Sequence, residues 1–316
     1  MQSGKDHALL FLKGMAMGAA DVVPGVSGGT IAFITNIYEK LIDSIHAIGP
    51  KTFLILKNEG LARAWASFNG NFLLVLFLGI ATSVFTLAKL ITHLLQSYPV
   101  LVWSFFFGLI VVSAVFVARQ IHGWNATKIA GLCLGAVAAW LLSGMTPTEV
   151  EATQLIIFLS GAIAICAMIL PGISGSFLLL MLGMYSQILD AIKSLDIGVL
   201  AIFGCGCVIG LLSFSRVLNW LLKYYHEMTM AVLTGVMIGS LNKVWPWKQT
   251  LSYRTNSHGD QVPLLQQNVS PTRFEELLGQ DPQIVAGVAL MAVAILIVVT
   301  LEFASGYGKG NGMVKE

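Results

Sequence analysis

Long apolar stretches recur along the chain, and short polar segments separate them. Many of these stretches contain about 18 to 25 residues, enough for an α-helix to cross the hydrocarbon core of a bilayer. Two of them are interrupted by a Pro-Gly pair, at 24–25 and at 171–172. Because proline donates no backbone hydrogen bond and glycine readily adopts unusual backbone angles, each pair should break its helix. The pattern predicts an all-α integral membrane protein with two broken helices.

An internal duplication accounts for the two breaks. Residues 14–45 match residues 161–192 without a gap, and two further blocks match in the same order. The match pairs Pro24-Gly25-Val26-Ser27-Gly28 with Pro171-Gly172-Ile173-Ser174-Gly175. An internal repeat of this kind decides the architecture of a fold. We therefore predict a first repeat at 1–145 and a second repeat at 146–316.

Each repeat should begin with a helix hairpin around its break and continue with three transmembrane helices. The hairpins are expected at about 8–46 and 153–194. We expect them to be re-entrant; the alternative is that their two arms cross the membrane completely, and either form leaves an odd number of crossings in each repeat. The transmembrane helices are predicted at about 71–96, 99–118, 129–142, 198–222, 227–241 and 284–301. A loop at 47–70 belongs to the first repeat, and a polar insertion at about 242–282 belongs to the second.

The arrangement of crossings predicts the orientation of the repeats. Each repeat crosses the membrane an odd number of times, so the second copy must be inverted relative to the first. The basic residues of the short loops then lie mostly on one side, which the positive-inside rule assigns to the cytoplasm. Both termini are therefore expected in the cytoplasm, and the 242–282 insertion is expected on the outer side.

The composition agrees with a membrane protein and narrows the function. Hydrophobic residues make up 56% of the 316 residues and charged residues only 11%, about half the charged fraction of an average soluble protein. The net charge of +2 is spread over loops, so no nucleic-acid partner is expected. The six histidines are scattered, and the four cysteines lie in apolar segments. The sequence therefore predicts no catalytic residue, no metal site and no cofactor.

The small residues around the two breaks are candidates for binding an anion. A helix that starts after the break has unpaired amides and a positive dipole end facing the break. Transporters with inverted repeats build substrate sites from such broken helices. The substrate-binding candidates are Pro24, Gly25, Ser27, Gly28, Gly29, Thr30, Pro171, Gly172, Ser174, Gly175 and Ser176. The structural alternative is that these residues permit close helix packing and cap helix ends.

Three charged residues inside apolar segments are further candidates. Asp21 precedes the first break, where it could bind a coupling proton or sodium ion, or accept hydrogen bonds from free amides at a helix end. Lys89 and Arg216 occupy matching positions in the two repeats. They could bind a phosphate group, or extend to the membrane interface while their stems stay in the apolar region.

These motifs resemble those of a bacterial polyprenyl-phosphate transporter family, and the likeness spans nearly the whole chain. The segments that carry the resemblance are Gly18-Ala19-Ala20-Asp21-Val22-Val23-Pro24-Gly25-Val26-Ser27-Gly28-Gly29-Thr30 and Leu170-Pro171-Gly172-Ile173-Ser174-Gly175-Ser176-Phe177. The resemblance implies a multi-pass protein of the bacterial cytoplasmic (inner) membrane, with the 242–282 insertion in the periplasm. It also implies translocation of the lipid carrier undecaprenyl phosphate toward the cytoplasmic leaflet, where the lipid is reused, by alternating access.

Two other functions remain open at this stage. An ion-coupled transporter of a small soluble anion could use the same helix ends, because they would suit inorganic phosphate or a carboxylate equally well. A membrane lipid phosphatase would need a nucleophile or a metal cluster, and the sequence contains neither at a recognisable spacing. The residues favour a transporter over an enzyme.

Overall fold

The computed structural model describes residues 4–23, 25–145, 150–255 and 261–304. The helices of these ranges are α1 (Gly4–Val22), α2 (Gly28–Ile34), α3 (Tyr38–His46), α4 (Pro50–Glu59), α5 (Leu61–Ser67), α6 (Gly70–Ser97), α7 (Pro99–Arg119), α8 (Ala126–Gly144), α9 (Gln154–Ile169), α10 (Gly175–Met181), α11 (Tyr185–Ser194), α12 (Ile197–Tyr224), α13 (His226–Ser240), α14 (Pro271–Leu278) and α15 (Ile284–Ala304). The strands are β1 (Lys248–Thr255) and β2 (Gln261–Asn268), which pair antiparallel. The protein is therefore mostly helical, as the apolar pattern predicts.

Four helices of the described ranges, α6, α7, α8 and α12, are long and apolar enough to cross a membrane. The pair α10 and α11 would be a fifth span by composition, but the two helices meet at an angle of 106°. The apolar helix α9 is shorter, and α13 contains 15 residues, roughly 22 Å of helix. A multi-pass membrane protein is the architecture that these helices support.

Two segments differ from the predicted loops. Residues 47–70 are expected to be a loop, but they contain α4 and α5, and Pro50 occupies the first turn of α4, where proline is tolerated. The 242–282 insertion contains the two strands and α14, so the fold is not strictly all-α. The run Thr250-Leu251-Ser252-Tyr253 alternates polar and apolar side chains, which is the period of a strand.

Close glycine contacts join α1 to α6, and equivalent contacts join α9 to α12. A Cβ atom built on Gly14 would lie 2.3 Å from the carbonyl oxygen of Leu76, and one built on Gly161 would lie 2.4 Å from that of Phe203. These positions are the ones that the sequence duplication pairs. Small residues allow such close approach of helices in membranes.

The later helices of the two halves pair across the molecule. Helix α8 packs along α13, and α7 packs along α15. The main buried cluster lies between these pairs and contains the first break together with residues of α3, α7 and α13. The two halves of the chain are thus interleaved around one core, and the breaks lie in that core.

Candidate functional site

The two breaks have the same backbone conformation. Gly25 and Gly172 have φ angles of +89° and +85°, a region that residues with a side chain rarely occupy. The backbone then turns into the short helices α2 and α10. Pro171 and Gly175 are buried, while Pro24 lies outside the described residues. Glycine is therefore required at the same point of both breaks.

Hydrogen bonds join the first break to the second. The Ser27 Oγ atom lies 3.1 Å from the carbonyl oxygen of Met168 and 3.0 Å from that of Leu170, and its hydroxyl donates to them. The Gly172 amide donates to Thr30 Oγ1 over 3.0 Å. Ser27 and Thr30 are fully buried. Side chains of the first break thus satisfy polar backbone groups of the second, as irregular backbone inside a membrane protein requires.

Close backbone packing completes this contact, which we call the break junction (residues 23, 25–30 and 168–176). A Cβ atom built on Gly29 would lie 2.6 Å from the carbonyl oxygen of Ile169. A larger residue at this position would separate the two breaks. The structure therefore brings together the break candidates of both halves that it describes.

The side chain of Asp21, a residue of α1, lies at the start of α2. The Gly28 amide donates to Asp21 Oδ1 over 2.7 Å, and the Gly29 amide donates to Ser27 Oγ over 3.0 Å. The first helix start therefore already holds a carboxylate of the protein itself, which is the arrangement that the structural alternative predicts for Asp21.

The second helix start differs in charge. Met168 stands at the position that matches Asp21, and it packs against Gly175. The Ser174 hydroxyl is hydrogen-bonded to the Ser176 hydroxyl over 2.8 Å and caps no amide of α10. The two breaks share a backbone shape, but only the first contains an acidic side chain.

A small cavity of about 20 Å³ lies beside the break junction, and we call it the inner cavity. Both breaks contribute to its wall, together with the ends of α8 and α13. The lining residues include Gly25, Gly172, Ser174, Phe177, Ser240 and Lys243. A second, more polar cavity of about 290 Å³, the outer cavity, is lined by residues that include Ser143, Asn242, Lys243, Lys248, Gln266 and Asn268. Ser143 and Lys243 border both cavities.

Lys243 was not among the candidates predicted from the sequence, because it is one of several basic residues of the polar 242–282 insertion. Its Nζ atom lies 4.4 Å from the centre of the Phe177 ring, and burial lowers the pKa of Lys243 to about 8. Its position three residues after the last residue of α13 is the signal that could have indicated a place beside the membrane core. Among the described residues that line the inner cavity, Lys243 is the one with a charged side chain, and Ser174 of the second break lines the same cavity.

The predicted cations Lys89 and Arg216 lie elsewhere. Lys89 is exposed on α6. Arg216 is exposed on α12, and its Nη2 atom donates to the carbonyl oxygen of Ile48 over 3.4 Å, just after α3. Within the described ranges, the structure brings neither residue to the cavities beside the breaks.

Polar contacts join α3 to α12 and α13 at the end of α13 that lies away from the cavities. His226 and Glu39 are 3.0 Å apart between Nε2 and Oε1, and the Asn219 amide donates to the Asp43 carboxylate. The inner cavity touches Ser240 at the other end of α13, roughly 20 Å away along the helix. The cavities therefore lie near one end of this helix, and the polar contacts with α3 lie near the other.

A polytopic helical membrane protein whose paired broken helices meet beside a cavity that a serine and a lysine border has the architecture of a transporter. No group of three or more His, Cys, Asp or Glu residues that could hold a metal ion occurs among the residues described.

Comparisons with known proteins agree with this class. The profile of the family described as VCA0040-like, undecaprenyl phosphate translocase-like, matches residues 17–262. The chain is 53% identical over 292 residues, 92% of its length and 95% of the relative's, to the polyprenyl-phosphate transporter of Vibrio cholerae serotype O1. It is 34% identical over 254 residues, 74% of its length and 85% of the relative's, to the polyprenyl-phosphate transporter of Staphylococcus aureus. No solved structure matches the chain.

The chain belongs to this undecaprenyl phosphate translocase-like family. The resemblance seen in the break motifs is thereby confirmed. Its relatives are named as transporters, and the chain is a membrane transporter rather than an enzyme.

Proposed function

We propose that this protein translocates a polyprenyl phosphate, specifically undecaprenyl phosphate, across the bacterial cytoplasmic membrane toward the cytoplasmic leaflet for reuse. The names of two relatives support the class of lipid, and the description of the family supports the undecaprenyl chain. The observation that carries the proposal is the inner cavity, where both breaks and a lysine meet. A cavity beside two broken helices that a lysine borders suits an anionic head group that must pass through the membrane.

The chemistry of the lipid explains why a protein is needed. A phosphate monoester is anionic at neutral pH, and burying an ion without partners costs several kcal/mol even after relaxation. The polyprenyl tail is apolar and can stay in the bilayer throughout. The protein therefore has to lower the barrier for the head group alone. The outer cavity, of about 290 Å³, is large enough for a phosphate but not for the whole lipid, whereas the inner cavity, of about 20 Å³, has room for about one water molecule and must widen to admit the phosphate.

The transport cycle follows from the proposed repeats. Two inverted repeats, each with a re-entrant hairpin and three transmembrane helices, would rock against each other around the break junction. With both termini in the cytoplasm, the cavities face the periplasm, and the contact of Glu39 with His226 closes the cytoplasmic end. The described conformation would then accept a head group from the outer leaflet. Release would require α3 to separate from α12 and α13.

The break residues have distinct roles in this cycle. Ser174, Ser176 and the backbone around Gly172 border or adjoin the inner cavity, where they would contact the head group. Ser27, Gly29 and Thr30 hold the two breaks together. Asp21 accepts a hydrogen bond from the Gly28 amide at the start of α2. Asp21 is also the residue through which a proton or sodium ion would be coupled, because binding of either would weaken its hydrogen bond with Gly28.

Reconstitution in liposomes tests the function. Purified protein is incorporated with undecaprenyl phosphate, and a membrane-impermeant reagent measures how much lipid each leaflet exposes over time. We expect transfer between leaflets to be much faster than in protein-free liposomes. Wild-type protein that leaves the leaflet distribution unchanged, with a control transporter active in the same preparation, would contradict the proposal.

Matched variants test the site and the substrate class in the same assay. Ser174→Ala should slow translocation, whereas Ser213→Ala should not, because Ser213 is exposed on α12 and bonds within its own helix. Radiolabelled inorganic phosphate trapped inside the vesicles should stay there. Its rapid release, with no movement of the lipid, would instead identify a transporter of a small soluble anion.

A further inference from the structure

Hydrogen bonds of Asn242 join the 242–282 insertion to the end of α8 and join the start of the insertion to β2. The Asn242 side chain donates to Ser143 Oγ over 3.1 Å. The Asn268 side chain donates to the Asn242 carbonyl oxygen over 2.7 Å and lies 2.8 Å from its Oδ1 atom. Asn242 begins the insertion, and Asn268 ends β2. These contacts fix the hairpin beside the outer cavity, so the insertion is part of the cavity wall and not a separate appendage.

Lys243 is fixed in its backbone and stem. Its amide donates to the carbonyl oxygen of Ser240 over 2.8 Å, and its own carbonyl oxygen accepts from Lys248 Nζ over 2.6 Å. A Cβ atom built on Gly25 would lie 2.6 Å from its Cγ atom, so the stem crosses the first break. Such anchoring reduces the conformational entropy that a lysine loses when it binds a ligand.

The charges around Lys243 all have the same sign. Lys248 borders the outer cavity and is buried, with its Nζ atom 3.6 Å from the centre of the Trp103 ring. The described residues that line the two cavities include no Asp or Glu. Two basic groups without a lining carboxylate create a positive potential at this point, which favours an anion.

Polar side chains along the same route provide further hydrogen-bonding groups. Ser174 lines the inner cavity, and its hydroxyl is bonded to that of Ser176. Gln266 lines the outer cavity, and one of its two amide N–H groups donates to Thr250 Oγ1 over 3.4 Å, which leaves the other for a ligand. A phosphate monoester has three terminal oxygens that accept several hydrogen bonds, and it binds best where a cation and neutral donors converge. Lys243 stands where the two cavities meet, within reach of either.

We propose that Lys243 is the cation that binds the phosphate monoester head group, and that the 242–282 insertion forms the entrance through which the head group reaches it. This inference rests on the proposed function and names the residue and the route for it. The shared ligand chemistry is a phosphate monoester or phosphate ion, whether it belongs to a lipid or is free.

Substitution of Lys243 tests the binding residue. We expect Lys243→Ala to lower the translocation rate of undecaprenyl phosphate in proteoliposomes at least tenfold, and Lys243→Arg to retain most of it, because arginine keeps the charge. Lys57→Ala is the matched control, since Lys57 is an exposed lysine of α4 away from both cavities. Lys243→Ala with the wild-type rate overturns the inference even when the wild type is active.

A binding measurement keeps the inference separate from folding and from the proposed function. Each variant is first shown to be monodisperse, and its thermal unfolding in detergent is followed with undecaprenyl phosphate or with inorganic phosphate alone. The lipid should raise the unfolding temperature of the wild type and Lys243→Arg, but not that of Lys243→Ala. Stabilisation that persists in Lys243→Ala, or is absent in the wild type with both ligands, overturns the inference. Stabilisation without translocation by the wild type overturns only the proposed function.

A carboxylate placed on the insertion tests whether the head group enters along the outer cavity. Gln266→Glu puts a carboxylate on the wall of the outer cavity and should slow translocation several-fold, less so in high salt. Gln261→Glu makes the same change near the opposite end of β2, about 16 Å away, beyond a Debye length of about 10 Å. Equal rates for the two variants overturn the assignment of the entrance.

Discussion

The charge of Lys243 makes translocation depend on pH in a specific way. Burial lowers the pKa of Lys243 to about 8, so its side chain is a cation below that pH and neutral above it. The charged fraction then falls from about nine-tenths at pH 7 to about one-tenth at pH 9. A phosphate monoester loses its second proton near pH 6, so the lipid head group keeps its charge over this range. The rate should therefore fall about tenfold between pH 7 and pH 9.

The assay is the initial translocation rate in proteoliposomes at a lipid concentration well below saturation. Under this condition a pH profile reports the groups of the free protein, as it does for kcat/KM of an enzyme. Lys243→Arg is the internal control, because arginine stays charged up to pH 12 or so and should give a nearly flat profile from pH 7 to pH 9.

Another titrating group faces the same space. Lys248 borders the outer cavity beside Lys243, and burial also lowers its pKa. If Lys248 caused the decline, Lys243→Arg would retain it. A flat profile in the wild type, or the same decline in Lys243→Arg, would refute the assignment of the charge to Lys243.

Three further predictions concern the breaks and the closed end of the molecule. Gly172→Ala should destabilise the protein by about 1–2 kcal/mol, because φ is +85° and the new Cβ atom would lie 2.8 Å from Ser240 Oγ. Thermal unfolding measures this loss. The control is Gly204→Ala, whose new Cβ atom meets no neighbour within 4 Å. Glu39→Gln should increase hydrogen exchange in α3, because it weakens the contact with His226; unchanged exchange would show that this contact does not hold the end closed. Asp21→Asn should remove any acceleration of translocation by an imposed proton or sodium gradient, and acceleration equal to that of the wild type would exclude Asp21 as the coupling residue.

The sequence predicted the helical architecture and the position of the breaks because both depend on local chemistry. Apolar length determines which segments can cross a bilayer, and a Pro-Gly pair interrupts a helix wherever it occurs. The contact between the breaks is not local. Ser27 reaches carbonyl groups more than 140 positions later in the chain, and only the folded structure gives that distance.

The parts that differ from the sequence prediction share a cause. The 242–282 insertion is polar, and residues 47–70 contain no apolar run long enough to cross a membrane, so both segments are predicted as loops. Short helices and a hairpin form there instead. Lys243 was not predicted as a site residue for a related reason, since a lysine in a polar segment is expected to be exposed to solvent. Its burial depends on packing against Gly25 and Phe177, which are remote in sequence. Lys89 and Arg216 matched in sequence, but matching positions in a repeat do not require that both face the same site.

The most direct test of phosphate binding at Lys243 is a structure of the protein with undecaprenyl phosphate bound, determined by electron cryomicroscopy in lipid nanodiscs. We expect phosphate density in the inner cavity, within hydrogen-bonding distance of Lys243 Nζ and the Ser174 hydroxyl, with the lipid tail leading into the bilayer. Phosphate density bound instead at Lys89 or Arg216, with the inner cavity free of it, would contradict the account.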